Sequence, residues 1–294
     1  MKTSTKTKHG SILIALFIIV FSSTGFIIKK GEFRGPKDPV KLVYNFSEGK
    51  TISYYSATTV SQAMDINGQT MNVLVDNSLA FKVKMVGKSD ENLKLMVTID
   101  SLSMKVDSPN GSTGSKVKEV EGKTFNMLIS PRGKEIDVNE AAKIEYAVEG
   151  SGGGNLSQSF ANIFPDLPEN PVNPGDTWTK SDSVINKSAS AKTSQVFQSS
   201  NKFEGIEKMN GIDCAKITST ITGTMQTNAQ NQGMDIFYSG PFQGTVTLYF
   251  AVKEGYFLKQ DVSTKMTGTV EISGPQSMTF PVVMETKGKI EAKK

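Results

Sequence analysis

Apolar and polar residues alternate over most of the chain beyond residue 40, and the alternation has the two-residue period of a half-buried strand. Leu93, Leu95, Val97 and Ile99 interleave with Lys94, Met96, Thr98 and Asp100. The apolar phase then slips by one, to Leu102, Met104 and Val106. A strand whose inward face changes phase needs an extra residue, so the slip predicts a β-bulge near Asp100-Ser101. Val246, Leu248, Phe250 and Val252 hold one phase, and so do Phe280, Val282, Met284, Thr286 and Ile290. One face of these runs is apolar and the other is rich in Thr, Ser, Lys and Gln, the habit of long antiparallel strands. The reading is mostly β: long antiparallel strands in a curved sheet or half-barrel.

Turn residues punctuate the runs. Asn67-Gly68, between Ile66 and Met71, predicts a two-residue hairpin turn. Ser130-Pro131-Arg132-Gly133 places proline where φ is fixed and glycine where φ is positive, and Lys253-Glu254-Gly255 predicts a similar turn. Helical spacing at Ile144, Ala147 and Val148, after caps at Asp137 and Asn139, predicts a helix over 139–148, broken by Gly150 to Gly154. Leu156 to Phe164 predicts a second short helix stopped by Pro165. A weak repeat at an offset of about 122 residues sets Gly122 and Gly133 on Gly244 and Gly255, and Phe81 on Phe203. It suggests two β halves, 38–138 and 177–294, joined by a helical and Pro-rich segment at 139–176.

The first 30 residues differ from the rest. Lys2, Lys6 and Lys8 precede an apolar run from Ile12 to Ile28, closed by Lys29 and Lys30. A basic segment, an apolar core and a small-residue patch at Ser22 to Gly25 form an export leader. The run spans roughly 26 Å as a helix, the short end of a membrane span. Residues 12–28 therefore either anchor the protein in the membrane or are cleaved, and the remainder is expected in the cell envelope, outside the cytoplasm.

Composition narrows the chemistry. The only histidine, His9, precedes the apolar run, and Cys214 is the only cysteine, so no internal disulfide forms. Of 33 Lys and Arg, three lie in residues 1–28, which leaves 30 against 29 Asp and Glu. That balance gives no electrostatic case for nucleic acid. Asp65-Ile66-Asn67-Gly68 resembles the start of a calcium loop, but the sixth and twelfth positions are Thr70 and Asp76 where glycine and glutamate are needed. Gly152-Gly153-Gly154 lacks the lysine of a phosphate loop and is expected to be a flexible linker. No nucleophile has a base beside it, so an enzyme, a metal centre and a cofactor are not expected. Cys214, in a strand-like run, is expected to be a buried free thiol. The methionines, twelve beyond Met1, are spread singly. They suit core gap-filling or the lining of an adaptable apolar cavity.

One string is distinctive: Phe164-Pro165-Asp166-Leu167-Pro168, then Pro171-Val172-Asn173-Pro174-Gly175-Asp176-Thr177-Trp178. It reads as a proline-stiffened strap feeding a strand headed by the only tryptophan. Phe164, Leu167, Val172 and Trp178 are its large apolar groups, expected to cover the seam between the two β halves, with Trp178 mostly buried or, alternatively, an exposed binding anchor. The string resembles the mark of the bacterial domain-of-unknown-function family DUF6263, over roughly residues 40–290. Many members of that family look like lipoproteins, and this chain has no lipid-accepting cysteine near its leader. The resemblance implies an envelope β protein and brings no catalytic residues. The pattern is also similar to half-barrel lipid carriers of the bacterial envelope. The expected function is thus non-catalytic binding of an apolar, lipid-like ligand or an envelope protein partner; the alternative is a structural module with a filled core.

Overall fold

A computed structural model describes residues 38–66, 68–148, 152–187, 191–231, 234–273 and 277–293. The leader with its 12–28 run, and Asn67 and Gly150 of the expected breaks, lie outside the described residues. No helix among the described residues is long and apolar enough to cross a membrane.

The strands in chain order are β1 (Thr51–Ile66), β2 (Gln69–Ser89), β3 (Asn92–Ser108), β4 (Gly111–Lys116), β5 (Thr124–Ile129) and β6 (Glu135–Asp137). After α1 (Asn139–Ala142) come β7 (Glu145–Val148), β8 (Gly152–Asn155) and α2 (Ser157–Phe160). Then follow β9 (Thr177–Lys187), β10 (Ala191–Met209), β11 (Ile212–Asn231), β12 (Met234–Ala251), β13 (Tyr256–Ser273) and β14 (Met278–Lys293). Twelve of these form one antiparallel sheet in the order β6-β5-β3-β2-β1-β14-β13-β12-β11-β10-β9, with β4 on β3. The sheet is a chain of hairpins in which the first and last long strands, β1 and β14, pair at the centre. It ends at β6 and β9 and is not closed into a barrel. The expected fold class therefore stands: mostly β, antiparallel, curved. The segments 38–138 and 177–294 lie on opposite sides of the β1–β14 pairing, within one continuous sheet.

The phase slip in β3 is a bulge at the expected place. Ala80 pairs with Ser101 and Phe81 with Ile99, so Asp100 has no partner across the ladder. Leu93, Leu95, Val97 and Ile99 are buried before it and Leu102 after it, which keeps both stretches facing inward. Ile66 pairs with Gln69 across a two-residue turn in which Gly68 has φ 78°. At the Ser130 turn the Gly133 N–H donates to the Ser130 carbonyl at 3.0 Å and Gly133 has φ 93°.

The segment 139–164 departs from expectation. The helix expected over 139–148 is a single turn, Asn139–Ala142. The Asp137 carboxylate accepts the Asn139 N–H at 2.8 Å just ahead of it. Ala147 and Val148 belong to strand β7, which pairs with β8. Gly152 to Gly154 are thus a strand and not a linker. Gly154 pairs with Tyr146, and a Cβ on it would lie 3.1 Å from the Tyr146 hydroxyl, a close fit. The second helix stops at Phe160, well before Pro165, and Asn162 follows with φ 67°.

Long strands leave room for more than one core. At roughly 3.3 Å per residue the main strands run about 50–70 Å. Every second residue of β1 from Ile52 to Met64 is buried, so one face points inward along its whole length. The main core lies at one end, where the concave face wraps the segments 40–46, 117–148 and 156–172. A second cluster, with Val60, Met64, Val75, Tyr238, Val270 and Val282, lies at the other end. There the sheet meets itself: Gln62 on β1 reaches the Tyr238 hydroxyl on β12 at 3.5 Å. Those strands are three steps apart, roughly 14 Å across a flat sheet, so the contact requires strong curl. Glycines permit it. A Cβ on Gly268 would lie 2.0 Å from the Ser239 carbonyl oxygen. The β12–β13 ladder skips Gly240 and Pro241 at the same place, where proline has no N–H to donate.

Candidate functional site

The concave face has three zones along the strands. The strap end is filled with rings. Tyr54 stacks between Phe81 and Phe257 at centroid distances of 5.4 and 4.7 Å. Phe160 sets its edge on Phe81 and Phe125, and Tyr44 on Phe164 and Phe250. The Tyr44 hydroxyl donates to the Pro165 carbonyl at 2.9 Å and that of Tyr54 to the Phe257 carbonyl at 3.0 Å. Burial pushes both phenols well above their usual range, so they act as fixed donors.

The strap itself is pinned. Val40 and Val172 exchange backbone hydrogen bonds of 2.8 and 3.0 Å, and the Leu167 N–H donates to the Arg132 carbonyl at 2.9 Å. Gly133 is the contact point: a Cβ there would lie 2.4 Å from the Pro165 carbonyl oxygen. The Glu135 carboxylate accepts the Phe164 N–H at 3.1 Å, and burial pushes this carboxyl up to about 7. Lys180 ties the strap to β9 by pairing with Asp166 and Asp182.

Of the four strap residues singled out by sequence, Phe164, Leu167 and Val172 are buried in the main core. Trp178 is partly buried against the same core, on the edge strand β9, five strands from the β1–β14 seam. It flanks the core and does not cover the seam; Phe164, 6.1 Å from Phe257 on β13, lies nearer to it.

The middle zone is different. Here, and on into the far end, inward positions turn polar: Ser56, Thr58 and Gln62 on β1, Thr193 and Gln195 on β10, Thr227 on β11 and Thr286 on β14 are all buried. Some pair with each other, such as Thr193 with Thr227 at 2.9 Å. Others use sulfur: Gln62 donates to Met64 at 3.4 Å and Gln195 to Met225 at 3.6 Å. The Thr58 hydroxyl and the Gln62 carbonyl oxygen are buried with no partner. An unpaired buried polar group costs about 1–3 kcal/mol, so stability alone does not account for them. A gap of about 20 Å³ is lined by Met225, Phe242, Met266 and Met284, with Gln195, Thr264 and Thr286; Gln62 is the ladder partner of Met284, and Thr58 lies further along the same inward face of β1. Three flexible methionines and a ring, with the Gln195 amide and two threonine hydroxyls among them, make a mixed lining able to repack. The strap reading missed this belt. Its signal is legible in β1, where Ser56, Thr58 and Gln62 interrupt the apolar phase of Ile52, Tyr54, Val60 and Met64.

Cys214 is fully buried beside Tyr249, Ala251 and Leu258, and burial pushes its thiol up to about 12. Among the described residues no three His, Cys, Asp or Glu side chains group as metal ligands.

No protein-family model matches the chain, and no curated protein matches it. Three solved structures show distant likenesses. Pseudomonas aeruginosa OccK2 (OpdF), in complex with glucuronate, is 4% identical over 84% of this chain and 100% of that one, with a TM-score of 0.24. A DUF1329 family protein from Desulfovibrio piger is 11% identical over 80% of this chain and 83% of that one, with a TM-score of 0.17. A putative outer membrane lipoprotein-sorting protein domain from Vibrio parahaemolyticus is 8% identical over 82% and 86%, with a TM-score of 0.14. At these scores the likenesses carry no argument about function.

Proposed function

We propose that this is a non-catalytic β protein of the bacterial envelope that holds an amphipathic, lipid-like molecule on its concave face. The observation that carries the reading is the middle zone. A methionine-lined gap lies in a small cluster between the two larger cores, and Met284 on its wall pairs across the ladder with Gln62, whose carbonyl oxygen is buried without a partner. An acyl chain suits the Met225, Met266 and Met284 side, and a hydroxyl or amide of the same ligand suits Thr58 and Gln62. Binding requires the methionine rotamers to move, because pockets for such ligands run to about 300 Å³ or more. The leader at residues 1–28 supports the location, as anchor or cleaved signal, and the resemblance to DUF6263 agrees with it.

The second reading is a structural or interaction module with a filled interior. The size of the gap favours it, since about 20 Å³ accommodates a water molecule and little more. Titration with a fluorescent fatty acid separates the two. Saturable binding that falls in Gln62→Leu supports the carrier, and absence of saturable binding supports the module. A fusion of residues 1–40 to an export-dependent reporter tests the location; activity only in the cytoplasm contradicts it.

A further inference from the structure

The convex face offers a separate site. One register row crosses eight strands: Thr220, Thr245, Ser263 and Lys287 on β11 to β14, then Thr59, Asp76, Lys105 and Gly114 on β1 to β4. Its first four residues line a groove of about 480 Å³ and its last four line one of about 610 Å³. The two grooves abut where Lys287 pairs with Thr59. Together they form a trough across the strands, roughly 34 Å long at about 4.8 Å per strand.

Its chemistry is consistent along that length. Neighbouring rows add hydroxyls, with Ser78 and Ser103 bonded to each other at 2.8 Å. Lys105, Lys116, Lys265 and Lys287 line the grooves against two carboxylates, Asp76 and Glu285. Glu285 is paired with Lys265 at 2.9 Å and Asp76 accepts the Thr59 hydroxyl at 2.6 Å. Lys116 and Lys287 have no carboxylate within 4 Å among the described residues. We propose that this trough binds an extended acidic polysaccharide, its hydroxyls met by the Ser and Thr rows and its carboxylates by Lys116 and Lys287.

Other polymers fit less well. Tyr55 is the one aromatic lining residue, and the Lys293 ammonium already sits 4.9 Å from its ring centre, so there is no stacking platform for bases. A peptide adding as a strand needs a free edge; the strands from β11 to β3 are paired on both sides, and only β4, at one end of the trough, leaves an edge open. The inference is independent of the concave-face ligand.

The test is affinity electrophoresis of the full-length chain in mild detergent, in gels containing polygalacturonate, dextran or polyphosphate. Retardation by polygalacturonate at least about tenfold stronger than by the other two is expected. Lys116→Glu with Lys287→Glu should lose about tenfold of it, and Thr59→Val with Thr245→Val should lose several-fold, with thermal midpoints near that of the parent. Absence of retardation by polygalacturonate overturns the proposal. So does equal retardation by polyphosphate, or undiminished binding by the threonine variant, since either would mean charge attraction without sugar recognition.

Discussion

The two ends of the main strands are filled in different ways, and the middle in a third. At the far end the sheet curls until Gln62 meets Tyr238, and small and aliphatic residues such as Ala191, Ala229 and Val270 fill what is left. At the strap end the sheet stays open, and other chain segments fill it with the rings of Tyr44, Phe160 and Phe164. A sheet that curls on itself can use its own side chains, while one held open needs a plug. Between the two lies a smaller cluster of Ile221, Met225, Phe242 and Met266, and the inner face around it carries buried polar groups.

The largest expected effect tests the plug. Phe160 is fully buried between Phe81 and Phe125, and Phe160→Ala should cost about 3–5 kcal/mol in chemical denaturation. A loss below about 1 kcal/mol would mean that the strap end contributes little beyond contact area. Trp178 is only partly buried, so Trp178→Ala should cost less, about 2 kcal/mol. Its emission, the only tryptophan signal in the chain, should lie between buried and water-like positions, with moderate acrylamide quenching.

A smaller effect comes from Glu135, which holds the strap at Phe164. Its carboxyl is raised by burial from 4.5 to about 7. Below pH 4.5 it is protonated folded and unfolded alike. As pH rises the unfolded chain ionises first, so this group takes stability away between about pH 4.5 and 7. Glu135→Gln should therefore be more stable than the parent at pH 8, by about 1–2 kcal/mol, and equal to it near pH 4. Thermal melts at the two pH values check the sign; a variant less stable at pH 8 would show that the charged form is favoured.

These expectations also show what the sequence held. The bulge at Asp100 was legible because a period of two leaves one reading when the phase slips from Ile99 to Leu102. The turns at Gly68 and Gly133 were legible because their glycines have positive φ. The ribbon of β7 and β8 was not, because Ile144, Ala147 and Val148 have a spacing that a helix also satisfies. What the structure adds is the pairing of Tyr146 with Gly154, which no local pattern announces. The middle zone was half legible. The polar break in β1 is written in its alternation, but its meeting with Met225, Met266 and Met284 depends on curl across five strands.

The smallest expected effect sharpens the contrast between the ends and the centre. The Thr58 hydroxyl is buried and unpaired, so Thr58→Val should change stability by less than about 1 kcal/mol, toward higher stability. A clear loss would make that hydroxyl structural and remove it from the proposed site.

The central claim is that the middle zone, and not the strap, receives the ligand. Native mass spectrometry of the full-length chain, titrated with a single-chain lysophospholipid, tests it most directly. The account expects a one-to-one adduct in the parent and in Trp178→Ala, weakened about tenfold when Thr58→Val and Gln62→Leu are combined. No adduct in the parent, or an adduct of equal strength in all three proteins, would contradict it.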